Sequence, residues 1–148
     1  LQKNKVKFLD ERFDLIHSVD GLELAEKIAK QCQSENRVQR VLLQVNVAGE
    51  TAKFGMEPGE LEKQLMVFSS LKGIRVEGLM TIPPYDPDPE NSRRYFSRLR
   101  ELRDQCEKRL PLPELSMGMS NDFEVAIEEG ATLVRVGTAI FGARLKGN

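Results

Sequence analysis

Residues 114–142 read ELSMGMSNDFEVAIEEGATLVRVGTAIFG, a pattern of strand, turn, helix, strand and turn. Leu115-Ser116-Met117 is a short strand that breaks at Gly118. Asn121 followed by Glu124 has the spacing of a capping box, an N-cap side chain with a carboxylate three residues on. The helix then places Phe123, Ala126 and Ile127 on one face, and Gly130 is a C′ stop. Leu133-Val134-Arg135-Val136 is the next strand, closed by Gly137-Thr138. Two consecutive strands thus end in small, hydroxyl-bearing turns, Gly118-Met119-Ser120 and Gly137-Thr138. Free backbone N–H groups at such turns suit an anion, usually phosphate. In an α/β barrel the phosphate cup lies in the loops after the last two strands.

Upstream the same alternation repeats. Leu15-Ile16-His17-Ser18-Val19 is a short apolar strand, and Asp20 with Glu23 forms a second capping box. The helix that follows spaces Leu22, Ala25, Ala29 and Cys32 at helical intervals. Residues 41–47, VLLQVNV, are the clearest strand, and AGETAKFG (48–55) is a loop. Pro58 opens a helix with Leu61, Leu65, Phe68 and Leu71 inward, and Gly73 ends it. Residues 76–82 form another strand. Four prolines between 83 and 89 exclude a helix or a central strand there. A long helix then turns Phe96, Leu99, Leu102, Cys106 and Leu110 inward and its arginines outward. The ordered reading is five strands near 15–19, 41–47, 76–82, 114–117 and 133–136, with helices between. A polar start, LQKNKVK, leads into a helix that ends near Arg12. Strict β-α alternation at about 30 residues per unit argues for a parallel sheet with helical cover. Two architectures meet that description: an open doubly wound sheet, or part of a (β/α)8 barrel, which closes at about 250 residues.

Composition removes several functions. With 148 residues, 40% hydrophobic and 30% charged, the chain is an ordinary globular domain, not a disordered one. Its net charge of -1 gives no reason to expect nucleic acid. A single histidine argues against a zinc site. Cys32 and Cys106 both fall at apolar helix positions, which suits buried reduced thiols. No apolar run reaches the roughly 20 residues of a membrane helix.

The stretch SMGMSNDFEVAIEEGATLVRVGTAIFGAR resembles the signature of the pyridoxal phosphate (PLP) homeostasis protein family, barrels similar to the N-terminal domain of alanine racemase. LQKNKVK at 1–7, HSVD at 17–20, LLQVNVAGETAKFG at 42–55 and EGLMTIPP at 77–84 follow in the expected order. The resemblance implies a TIM-type (β/α)8 barrel with strands four to eight present. Residues 1–148 would then be the C-terminal part of one PLP-binding domain. It implies that Ser120, Gly137 and Thr138 hold the cofactor phosphate, that Met119 adds a backbone contact, and that Arg135 faces the pyridine nitrogen. The family's Schiff-base lysine, at the end of the first strand, falls before the position of Leu1. The implied role is cytoplasmic PLP binding and homeostasis without turnover. PLP-dependent apo-enzymes are possible recipients, and the parent is a monomer without membrane or nucleic-acid partners. The alternative is an alanine-type racemase, whose catalytic tyrosine would have to be Tyr85 or Tyr95, neither at a strand end.

Beside these stand residues with open roles. His17 is either a general base or a hydrogen-bonded structural histidine. Asn46 and Met80 sit at strand ends, where barrel sites are built. Lys53 either reaches a ligand carboxylate or is solvated. Lys3 and Lys5 are Schiff-base candidates on a loop and not a strand end. Arg135 is either a cofactor residue or an ion-pair partner of Glu124 or Glu128. A barrel short of three strands exposes two edges, so the chain is expected to aggregate or to pair with another copy.

Overall fold

The computed structural model describes residues 1–49 and 54–142. Five strands form one sheet in sequence order, every neighbouring pair parallel. They are β1 (Leu15–Val19), β2 (Gln39–Gln44), β3 (Ile74–Met80), β4 (Glu114–Met119) and β5 (Leu133–Arg135). The helices between and after them are α1 (Leu22–Ser34), α2 (Pro58–Ser70), α3 (Arg93–Cys106), α4 (Phe123–Glu128) and α5 (Thr138–Phe141). The expected lead-in helix is a 3₁₀ turn over Lys3–Phe8.

One apolar core lies between the sheet and the helices. It joins Leu24, Ile28 and Cys32 of α1, Leu61, Leu65 and Phe68 of α2, and Phe96, Leu99 and Leu102 of α3 to the sheet's Val41, Leu43, Leu79 and Leu115. The helical spacings read from the sequence therefore face inward as expected. Cys32 and Cys106 are buried and free, and burial raises both thiols above their ordinary value.

The other face of the sheet is concave. His17 on β1 and Ser116 on β4 are three strand spacings apart, about 14 Å in a flat sheet. Yet His17 Nδ1 lies 2.8 Å from Ser116 Oγ. The side chains meet only because the sheet curls toward them. Curvature of this kind makes the five strands a half-barrel and sets aside the flat doubly wound alternative.

Local chemistry moved several boundaries. β2 starts at Gln39, two residues before the apolar run, because the Gln39 amide donates to the carbonyls of Phe13, Asp14 and Arg40. A polar side chain thus satisfies the strand entrance. Beyond Gln44 the chain continues as a single bridge, Val45 to Met56. β4 does not break at Gly118. It runs to Met119, with Gly118 at φ +91. Neither expected capping box forms. The N-caps of α1 and α4 are Gly21 and Asp122, without side-chain capping bonds, and Glu23 pairs instead with Lys3. Gly130 is the C′ residue of α4. Its N–H bonds Ile127 O and that of Ala131 bonds Ala126 O, the paired bonds of a Schellman end. α4 buries Val125 and Ala126, while Ile127 is exposed, contrary to the expected face.

Candidate functional site

The parallel topology brings the C-terminal ends of β3, β4 and β5 to one rim. A cleft of about 730 Å³ opens there, lined by residues 82–86, 119–122, Arg135, Gly137, Thr138, Phe141 and Gly142. All five residues singled out for cofactor binding, Met119, Ser120, Arg135, Gly137 and Thr138, line this single cleft.

Ser120 joins the two small turns. Its Oγ accepts from Gly137 N at 3.0 Å and from Ala139 N at 3.2 Å. Two backbone donors from the turn after β5 therefore converge on one oxygen of the turn after β4. The sequence reading had not named Ala139. Gly137 has open space where a Cβ would stand, so a ligand can approach its backbone.

The turn after β4 is held by Asp122, also missed. Asp122 Oδ1 accepts from Met119 N at 2.7 Å, and Asp122 N donates to Met119 O at 3.1 Å. Both backbone groups of Met119 are thereby engaged; the residue lines the cleft and its side chain is partly exposed. Asn121, expected to cap α4, instead donates to Asp86 O at 2.9 Å and ties the proline loop to this turn. Asx chemistry was legible here, but it was assigned one residue early.

Arg135 is half-buried on β5. Nη1 donates to Ser116 Oγ at 2.6 Å and Nη2 to Thr81 O at 2.9 Å. Burial pulls the guanidinium below its ordinary value, with Asp122 opposing, and it remains a cation at neutral pH. Among the described residues it makes no ion pair, with Glu124 or Glu128 or any other carboxylate. Glu128 pairs with Arg93 instead. His17 extends the same network through Ser116, so of its two readings the hydrogen-bonded one describes the structure. Burial first, and the nearby Arg135 second, hold its imidazole below the ordinary value, against an opposing pull from Glu114.

Other candidates lie elsewhere. Met80 is buried at the end of β3, and Asn46 Oδ1 accepts from Gly49 N; neither lines the cleft. Lys3 pairs with Glu23, and Lys5 lies over the Phe8 ring. Tyr95 accepts from Arg94, whereas Tyr85 stands exposed on the cleft wall. Lys53 falls outside the described residues. A second depression, also about 730 Å³, lies beside the first and shares Ile82 with it; Lys3, Asp20 and Gln44 are among its walls. The arginines of α3 are not all solvated. Arg93 and Arg100 both pair with Glu129 next to α4, and Arg98 donates to Val47 O.

Among the described residues no group of three or more metal-ligating side chains gathers, and no helix is long and apolar enough to cross a membrane.

The family profile described as alanine racemase, N-terminal domain, matches residues 1–145. The pyridoxal phosphate homeostasis protein of Aquifex aeolicus is 53% identical over 146 residues, covering 97% of this chain and 64% of that protein. Its counterpart in Pseudomonas aeruginosa is 44% identical over 146 residues, covering 97% and 62%. The chain thus spans about three-fifths of the length of these curated relatives. The structure of PipY from Synechococcus elongatus with PLP bound superposes with a TM-score of 0.86 at 36% identity, covering 96% of this chain and 67% of that one. An alanine racemase of Clostridium difficile shares the fold, with a TM-score of 0.76 at 15% identity, covering 100% and 41%.

Proposed function

The chain belongs to the alanine racemase N-terminal-domain family, among its pyridoxal phosphate homeostasis proteins, and from that membership we propose that it binds pyridoxal 5′-phosphate in the cleft at the ends of β4 and β5. The observation that carries this reading is the convergence of the Gly137 and Ala139 N–H groups on the Ser120 hydroxyl, with the Arg135 cation in the same cleft.

The residues fit the group at both ends. A phosphate oxygen can accept from the same two N–H groups, and the hydroxyls of Ser120 and Thr138 add further donors. Charge-assisted bonds of this kind are about twice as strong as neutral ones. At the other end Arg135 has donors only, so it offers a hydrogen bond to an unprotonated pyridine nitrogen and opposes a protonated one. When bound, PLP supplies an aldehyde and an electron-withdrawing ring. A ring kept unprotonated withdraws electrons weakly, which suits holding the cofactor, or racemase-like proton exchange, more than transamination. The Met119 backbone is engaged by Asp122, so its contribution is assigned to its side chain and not to a backbone contact.

In this reading the chain is the C-terminal part of one barrel domain, with its strands numbered four to eight. The covalent attachment of PLP falls to a lysine in the longer relatives' first strand. The role is storage and delivery of PLP in the cytoplasm by a monomeric parent, with PLP-dependent apo-enzymes as recipients. The racemase alternative predicts measurable alanine racemisation; the homeostasis reading predicts none.

The test is PLP binding followed by absorbance and calorimetry, with borohydride to trap covalent attachment. Binding that inorganic phosphate competes away, and that Ser120→Ala weakens by about tenfold, supports the cup. Stoichiometric borohydride-stable attachment to a lysine within residues 1–148 would overturn the strand assignment.

A further inference from the structure

Ser116 sits at the centre of a hydrogen-bond chain that phosphate binding does not require. Its hydroxyl lies 2.6 Å from Arg135 Nη1 and 2.8 Å from His17 Nδ1, joining β1, β4 and β5 across the concave face. Chemistry fixes the direction of each bond. A guanidinium only donates, so the Ser116 oxygen accepts from Arg135. Ser116 is fully buried, so its own proton needs an acceptor, and His17 Nδ1 is the one it meets. Nδ1 is therefore the unprotonated nitrogen, and the imidazole carries its proton on Nε2. Thr81 O holds Nη2, so the guanidinium plane is fixed by both of its terminal nitrogens.

We propose that His17 is a positioning residue for the cofactor's ring nitrogen: acting through Ser116, it fixes the plane of Arg135 and so sets how firmly the ring end of PLP, as distinct from its phosphate end, is held. The inference rests on the reading that PLP occupies this cleft with its ring nitrogen toward Arg135.

The relay works in one protonation state. A proton on Nδ1 would turn His17 into a second donor to Ser116 Oγ, strand the buried hydroxyl proton and set two cations on one oxygen. The charged groups acting on His17 are Arg135 from β5, which opposes protonation, and Glu114 from β4, which favours it. Asp14 just before β1 and Glu77 on β3 are both engaged by Arg40 of β2. The hold on the ring end is therefore full at neutral and alkaline pH and is lost as pH falls below the histidine range.

Two ligands separate the ring end from the phosphate end. One is 4′-deoxypyridoxine 5′-phosphate, which lacks the aldehyde. The other is its analogue with a CH in place of the ring nitrogen. Calorimetry on the full-length protein at pH 8 should show a preference for the nitrogen ligand of about tenfold or more. His17→Phe and Ser116→Ala should lose most of that preference and keep their affinity for the nitrogen-free analogue. His17→Asn, which places a non-titrating acceptor near Nδ1, should keep the preference. An unchanged preference in His17→Phe overturns the proposal, as does its loss in His17→Asn. If neither ligand binds, the cofactor reading falls. The relay is then decided by NMR of the ligand-free protein, where the Arg135 Nε–H signal must follow the His17 titration and move in Ser116→Ala; a signal indifferent to both overturns it.

Discussion

Gly118 and Asp122 shape the turn that carries Ser120, and both act by geometry that a motif shows only in part. A Cβ at Gly118 would stand 2.6 Å from the Ala126 Cβ and 3.0 Å from the Phe123 Cα, at a φ of +91 that side chains rarely adopt. Gly118→Ala is expected to cost about 2–4 kcal/mol in chemical denaturation, combining backbone strain with overpacking. Asp122→Ala would leave the Met119 N–H without its acceptor and is expected to cost about 1–3 kcal/mol. It should also weaken PLP binding by loosening Ser120, which calorimetry would register. The two turns that carry Ser120, Gly137 and Thr138 were legible as small, hydroxyl-bearing breaks after apolar strands, whereas the role expected of Arg135 came from the family resemblance alone. Asp122 and Ala139 were not legible. The first competes with Asn121 for the same capping role, and the second acts only through its backbone N–H.

The junction of α3 and α4 shows what an element gains from charges that look solvated in a helical projection. Arg93 and Arg100 of α3 both reach Glu129, a largely buried carboxylate at the C-cap of α4. Two cations on one shielded carboxylate couple more strongly than an exposed pair. Glu129→Ala is therefore expected to destabilise the chain by about 1–2 kcal/mol, against less than about 0.5 kcal/mol for the exposed Asp104→Ala. Paired thermal melts of the two variants check the contrast. Long helices were legible because α1, α2 and α3 repeat their apolar spacing over three turns or more. The six residues of α4 complete fewer than two turns, too few for periodicity to choose between Ile127 and Val125 as the inward residue. Strand β2 began early for a related reason, since a polar Gln39 that bonds three carbonyls does not look like a strand residue.

For the whole molecule, pH and edges decide behaviour. The folded chain keeps His17 neutral to lower pH than the unfolded chain does. Below about pH 6.5 the unfolded state therefore binds the extra proton, and stability falls as pH drops from there through the folded value. Asp10, held at about 2 by Arg12, acts in a separate and more acidic window. Melts between pH 7.5 and 5 should thus show a falling Tm, and His17→Asn should flatten that fall. Strands β1 and β5 are the sheet's two edges among the described residues, and Val134, Ile140 and Phe141 are exposed beside the second. The 148-residue chain alone is expected to self-associate through such edges. A monodisperse, cooperatively melting monomer in light scattering would sink that expectation.

What the amino-acid order determined by itself was local and periodic: five apolar strands, the inward faces of three long helices, and two small turns able to meet an anion. These follow from side-chain spacing along one element, which the chain carries in its own order. What only the tertiary structure decided was curvature and convergence. The curl of the sheet brings His17, Ser116 and Arg135 into one hydrogen-bond chain across residues 17 to 135. Ser120 meets the N–H groups of Gly137 and Ala139 because parallel strands end at one rim. No spacing rule reaches that far, since contacts between strands depend on the packing of every element between them.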